Sequence, residues 1–253
     1  MSAIVEKGRQ RYKRLQTVHR QRFDRPIKGR VLDFGCGAGG FVIAAREAGL
    51  DVHGVEVEPI RENEFHRAVR TVSSLNSEEI ATRFTLYDGI DLPYPRQHFD
   101  AVVTYFVFEH VPDTFGSLRQ IARVMKPGAT LMLFAEEARN GWEGHPQIPW
   151  PPFMPRRFTQ AYLDEYGGLG DRTDFINQSC FYVTGPMIAS ALEAFGLEIT
   201  AQNVPPPPVF PEGVDIMTEE DARQAARIAR SRFEAGTWTA PVQNLEIFAI
   251  KRG

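Results

Sequence analysis

The chain has 253 residues, 43% of them hydrophobic and 24% charged, and a net charge of −3. That composition belongs to a soluble globular protein and excludes a disordered, collagen-like or membrane-embedded chain. The length suits one large α/β domain over 1–253, with a core of its own. Charge is unevenly spread: residues 1–30 carry ten Lys/Arg against Glu6 and Asp24, and the remainder is acidic. Two cysteines, Cys36 and Cys180, make no disulfide framework. The N-terminus lacks the apolar run of a signal peptide, and "AVVTYFVF" is too short to span a bilayer. A cytoplasmic location is therefore expected.

Residues 1–28 read as a basic helical arm, either a solvated face or a surface for phosphate, nucleic acid or acidic lipid. "RVLDFG" is a short apolar run ending in glycine and reads as a buried strand. "GGFVIAAREAG" follows with Phe41, Ala44, Ala45 and Ala48 at helical spacing and Gly49 as its stop. "DVHGVEVEP" is a second strand ending near Glu56, and Pro59 opens the next helix, where its missing N–H does no harm. "RFTLYDG" and "FDAVVTYF" read as strands three and four. "SLRQIARVMKPG" reads as a helix closed by Lys-Pro-Gly, and "ATLMLFAEE" as strand five. This alternation implies a parallel sheet with helices on both faces. Residues 138–182, with "HPQIPWPPFMPRRF", and residues 204–240, with "VPPPPVFPEG", read as insertions. Thr218 is the expected N-cap of a helix running to about Ala235. "LEITAQN" and "NLEIFAIKRG" supply the last strands.

Gly35, Gly37 and Gly40 satisfy the G-x-G-x-x-G dinucleotide fingerprint. Such a loop lets either a dinucleotide or S-adenosylmethionine approach the backbone, so the glycines alone decide little. Asp33 discriminates: a carboxylate beside the loop repels a pyrophosphate and suits the ammonium and sulfonium of S-adenosylmethionine. Glu56, 23 residues later, can accept both ribose hydroxyls of either cofactor. Asp88, before Gly89, can take an adenine amino group, although Asp-Gly is also plain turn chemistry.

"VLDFGCGAGG", "GVEVEP", "LYDG", "FDAVVTYFVFEHVPD" and "ARVMKPGA" resemble, in order and spacing, class I S-adenosylmethionine-dependent methyltransferases. The resemblance covers roughly 28–135, and more loosely 184–203 and 243–251. It implies a Rossmann-like, doubly wound, seven-stranded and mostly parallel sheet, its last strand antiparallel, with the first insertion a lid after strand five. S-adenosylmethionine is the implied cofactor. Asp33 and the loop Gly35, Cys36, Gly37 and Gly39 would hold its methionine part. Glu56 and Val57 would hold the ribose side, and Asp88 and Gly89 the adenine. Tyr105 and Phe106 would border the methyl donor.

The methyl donor is already activated, so the protein mainly aligns the reactants and excludes water. A base is needed only for a hydroxyl or a protonated amine. His110 in "FEHVPD" and His145 at the head of the proline-rich insertion are the candidates, each weighed against a structural role. Glu109 is expected to hold the loop, and Tyr12 or Arg14 to reach the cofactor carboxylate. No metal site is expected. An Asn/Asp-Pro-Pro-Tyr/Phe tetrapeptide and a Pro-Cys nucleophile are both missing, which disfavours DNA-base methylation. Ile148, Trp150, Phe153 and Met154, with Arg156 and Arg157, suggest an apolar wall with a basic rim for the acceptor, or a lid that buries its own aromatics. The acceptor is read as a small molecule or glycan methylated at oxygen. The alternatives are an RNA or protein methyltransferase recruited by the basic arm, a silent cofactor-binding partner subunit, and an NAD-dependent dehydrogenase. Peripheral membrane contact and oligomeric state stay open.

Overall fold

The computed structural model describes residues 2–72, 74, 76–203, 215–238 and 244–253. Helix α1 (Ala3–Phe23) is capped by Ser2, whose side chain accepts from Ile4 N–H. Then come β1 (Arg30–Phe34), α2 (Gly40–Glu47), β2 (Asp51–Glu56), α3 (Pro59–Val69), α4 (Ser77–Ala81), β3 (Phe84–Leu86), β4 (Phe99–Tyr105) and α5 (Thr114–Val124). Strand β5 (Met125–Ala135) leads into the hairpin of β6 (Trp142–Glu143) and β7 (Ile148–Pro149). Helices α6 (Thr159–Gly167), α7 (Thr173–Ser179) and α8 (Gly185–Ala194), strand β8 (Leu197–Asn203), helix α9 (Glu219–Glu234) and strand β9 (Leu245–Lys251) complete the chain.

Seven strands form one sheet in the order β3-β2-β1-β4-β5-β9-β8, and β9 runs antiparallel to both neighbours. This is the doubly wound, mostly parallel sheet expected from the sequence. One boundary differs. Lys-Pro-Gly does not close α5 but lies inside β5, which already pairs at Phe99↔Met125. The register then slips to Ala101↔Thr130. Pro127 cannot donate to a ladder and Gly128 sits at φ +77°, so the segment bulges where it would otherwise stop pairing. Pro59 opens α3 as expected. Thr218 caps α9 in a full capping box with Asp221. The proline run 205–208 lies outside the described residues.

Two apolar layers sandwich the sheet, one around Phe34, Phe99 and Phe108, the other around Phe41, Phe65 and Phe134. The insertions make a third core. Ile148, Trp150, Met154, Phe158 and Tyr162 pack against Ala222, Ala225, Ala226 and Ala229 of α9. Those alanines recur at i, i+3, i+4 and i+7, which puts a small-residue stripe on one helix face and lets α6 come close. So the aromatics expected to line an acceptor wall mostly bury one another; Phe153 alone of that group is half exposed. Arg156 turns inward onto the Cys180 carbonyl and the Tyr182 ring, and Arg157 lies over Phe158.

The basic arm is a structural helix. Gly8 crosses α2 at Gly40, where a Cβ on Gly8 would meet Gly40 O at 1.9 Å. Arg9 forms a two-pronged ion pair with Glu47, and Arg25 donates to Gly128 O. Gly8→Ala would gain about 1 kcal/mol of helix propensity in a free helix. Here the opposing group is backbone and cannot move aside, so overpacking wins. A net loss of about 1–3 kcal/mol is expected in urea unfolding; unchanged or raised stability would refute the close crossing.

His53 on β2 accepts an N–H from Arg83 through Nε2 at 2.8 Å. Burial, then the Arg83 charge, push its pKa down to about 4. Protonation in the folded state is therefore opposed. The stability this neutral ring supports is present above its unfolded value of about 6.5 and is lost as pH falls through 6.5 toward 4. His53→Gln is expected to flatten that acid limb in melting temperatures measured across pH.

Candidate active site

The chain turns sharply at the C-terminal end of β1. Gly35 and Gly39 have φ +70° and +68°, which only glycine adopts without strain. A Cβ at Gly35 would strike the Val107 side chain at 2.5 Å, and one at Gly39 the Phe65 ring at 2.3 Å. Gly35 and Cys36 N–H both donate to Val55 O, Gly39 N–H to Cys36 O, and Gly37 N–H to the Glu56 carboxylate at 2.8 Å. These four donors are thus satisfied within the protein, and the group facing the loop is an anion. A pyrophosphate needs free N–H groups and no carboxylate, so the loop fits a cationic, phosphate-free ligand.

Asp33 is fully buried below the loop. Its Oδ1 accepts from Arg11 of α1 at 2.8 Å, while Oδ2 has no hydrogen-bond partner among the described residues. Burial pushes the Asp33 carboxyl up, and the Arg11 guanidinium opposes that shift. Arg11 Nε is likewise buried and unpartnered among the described residues, and its guanidinium lies 4.7 Å from the Tyr105 ring. Arg11 was not singled out in the sequence. It sits among eight other Lys/Arg residues of the arm, and nothing local marks it. Arg14 donates to Tyr105 Oη at 3.0 Å, and Tyr12 packs at 6.3 Å from Phe41.

A cleft of about 660 Å³ opens over the loop. Its walls bring together Gly35, Gly37, Glu56, Val57, Gly89, His110 and His145, with Phe106, Phe175, Gln178, Ser179 and Phe181. Asp33, Cys36, Gly39, Asp88 and Tyr105 are not among its walls. Cys36 is buried against Gly54, where a Cβ would meet its sulfur at 2.7 Å. Asp88 is exposed, and its Oδ1 accepts from Ile90 and Asp91 N–H, the turn role weighed for it. Val57, 50% exposed, gives the Glu56 side of the cleft an apolar edge. Phe106 adopts φ +57°, a strained conformation for an aromatic residue, and it sits on the cleft wall.

At the far end, His110 and His145 meet. His110 Nδ1 lies 2.6 Å from Ser179 O; a carbonyl only accepts, so Nδ1 carries the proton. His145 Nδ1 lies 2.6 Å from Glu143 Oε1, and the two Nε2 atoms face each other at 3.3 Å. Hydrogen bonds to Cys180 and Glu143 push the His145 pKa up. Burial pushes Glu109 up to about 8 and Glu136 up to about 7. Phe181 N–H donates to Glu109 O at 2.6 Å, and buried Glu137 accepts from Gly185 N–H at 2.7 Å. The first bond fastens the first insertion to the turn after β4, and the second ties the segment after β5 to the start of α8. The cleft-lining residues Phe175, Gln178, Ser179 and Phe181 carry no sequence motif and were missed.

Arg11→Met would leave the Asp33 carboxylate buried without its cation. A loss of about 3–5 kcal/mol is expected in urea unfolding. Adding Asp33→Asn should restore part of it; a double variant as unstable as the sum of the two singles would refute the pairing.

A family model described as a methyltransferase domain matches residues 6–202. Norajmaline N-methyltransferase of Rauvolfia serpentina is 31% identical over 121 residues, covering 47% of this chain and 40% of that one. A ubiquinone biosynthesis O-methyltransferase of Xanthomonas campestris pv. campestris is 34% identical over 104 residues, covering 41% of each chain. The chain spans about half or less of the length of the curated relatives it matches. An S-adenosylmethionine-dependent methyltransferase from Mesorhizobium loti superposes with a TM-score of 0.54 at 18% identity, covering 89% of this chain and 92% of that one; the likeness is one of fold.

Proposed function

This chain belongs to the class I S-adenosylmethionine-dependent methyltransferase family, with S-adenosylmethionine as its cofactor, and we propose that it methylates a hydroxyl of a small-molecule or glycan acceptor. The observation that carries this reading is the single cleft that runs from the Gly35–Glu56 floor to the His110–His145 pair. S-adenosylmethionine supplies a methyl group already activated on a sulfonium.

The chain's own residues bind, orient and manage a proton. Glu56 offers carboxylate lone pairs to ribose hydroxyls while one oxygen braces Gly37 N–H. Asp33, with its spare buried oxygen, suits the ammonium, and Arg11, held against it, suits the carboxylate. Val57 offers apolar contact to the adenine, and Gly89 leaves room beside it. Phe106, Phe175 and Phe181 shield the acceptor end from water. His110 keeps its Nδ1 proton on Ser179 O, so its Nε2, which faces His145 Nε2 at 3.3 Å, is the atom through which the pair would take a proton from the acceptor.

Oxygen is favoured because a hydroxyl must lose a proton and the cleft ends in a pair of imidazoles; the ubiquinone relative is named for the same atom. An amine acceptor is the second reading, on the strength of the alkaloid N-methyltransferase. Recruitment by nucleic acid finds less support, since Arg9, Arg11, Arg14 and Arg25 of the basic arm make contacts within the protein. A silent subunit would bind the cofactor and turn over no acceptor.

The test is calorimetric titration with S-adenosylmethionine, S-adenosylhomocysteine and NAD, followed by an acceptor screen of phenols, hydroxylated glycans and amines. Both sulfur ligands are expected to bind, NAD is not, and Glu56→Ala should weaken binding by about 100-fold. His110→Ala should lower kcat by about 10²–10⁴-fold and leave S-adenosylhomocysteine affinity unchanged. Binding of NAD alone, or turnover that ignores His110, would overturn the reading.

A further inference from the structure

The histidine pair poses an electrostatic question. Ser179 O holds the His110 Nδ1 proton, and Glu143 takes the Nδ1 side of His145, each at 2.6 Å. That leaves two Nε2 lone pairs 3.3 Å apart and facing one another. Two lone pairs at that distance repel, so one positive centre must lie between them. A single shared proton satisfies this, and so does a metal ion.

Three further features favour a metal. First, a tetrahedral zinc with Zn–N bonds of about 2.0–2.1 Å sets its ligand nitrogens about 3.4 Å apart, close to the spacing found. Second, a metal-bound histidine characteristically donates its other ring N–H to a carbonyl or carboxylate, and here one ring has each. Third, Cys180 is buried next to the pair with its Sγ 3.8 Å from His145 Nδ1, and one ligand atom from each of His110, His145 and Cys180 falls within 4.8 Å of the others. These residues come from three separate segments, so local sequence does not explain their convergence. Two imidazoles and a thiolate form a soft set that selects zinc or its transition-metal neighbours over magnesium or calcium. Glu109 adds a buried Oε2 with no hydrogen-bond partner among the described residues, which places acceptor capacity beside the same pocket.

We propose that His110, His145 and Cys180 hold one divalent transition-metal ion, zinc by ligand softness, with an open coordination position toward the acceptor end of the cleft. Binding displaces the Cys180 thiol proton and the proton shared by the rings, and both pass to solvent. Metal binding stands independently of the proposed reaction. Its consequence rests on that reading: the ion takes the shared proton's place, and the acceptor oxygen is held as a ligand in its deprotonated form.

The experiment uses the full chain, stripped with a chelator and titrated with Co²⁺ and then with Zn²⁺ against a chromophoric competitor. One equivalent of Co²⁺ is expected, with a sulfur-to-cobalt charge-transfer band in the near ultraviolet that Zn²⁺ abolishes. Cys180→Ser should lose the band, His145→Ala should lose stoichiometric binding, and Glu143→Gln should weaken binding about 10–100-fold. S-adenosylhomocysteine titration of each variant reports an intact fold. No stoichiometric binding to a protein that still binds S-adenosylhomocysteine would overturn the metal site alone. A charge-transfer band that survives Cys180→Ser would overturn the assignment of the thiolate. Loss of S-adenosylhomocysteine binding by the unmodified protein would instead count against the proposed function.

Discussion

The bond between the Glu56 carboxylate and Gly37 N–H is the constraint on which the site depends. Parallel pairing of β1 with β2 brings Phe34 level with Val55, so the last residue of β2 stands beside the loop that leaves β1. One carboxylate then fixes the loop, through Gly37, and its own strand end, through Val57 and Glu58 N–H. The loop needs positive φ to turn so tightly, and glycine supplies it. An anion at this point also sets the charge of the cleft floor, which favours a cationic ligand and opposes a phosphate.

The rest of the site follows from two cores that are separate yet tied together. The sheet carries the cofactor floor, while the insertions bury their own aromatics around Tyr162 and the alanine stripe of α9. An insertion with an apolar core of its own holds its shape, and a few bonds suffice to place it. The Phe181–Glu109 and Ala138–Val183 backbone bonds and the Glu137–Gly185 bond hold its two ends, and His145 within it lies against His110. The lid therefore meets the cleft with the segment around α7, and the proline-aromatic run serves as its internal support.

Burial raises the pKa of three carboxyls, Asp33 below the glycine loop and Glu109 and Glu136 in the small pocket that also holds His145 and Cys180. Desolvated carboxylates cost stability and are tolerated where a cationic partner is close. For Asp33 the cation is Arg11. It comes from a helix that looks, residue by residue, like a solvated basic face.

The sequence by itself determined the alternating elements, the glycine turn after β1, the acid ending β2 and the capped helix at Thr218. Each rests on contacts within a few residues: apolar periodicity, a missing Cβ, a capping side chain. Fold class and the tight glycine loop after β1 were legible for that reason. Lys-Pro-Gly misled as a helix stop, because whether it ends an element or bulges inside one depends on the neighbouring strand, which pairs from Met125 onward. Only the tertiary structure decided that Arg11 meets Asp33 across 22 residues, and that His110 meets His145 across 35. It also decided that Cys180 joins that pair and that Trp150 faces inward to the lid core. Such pairings are set by how helices and insertions pack over the sheet, and no local pattern of residue types encodes which distant side chain will lie opposite.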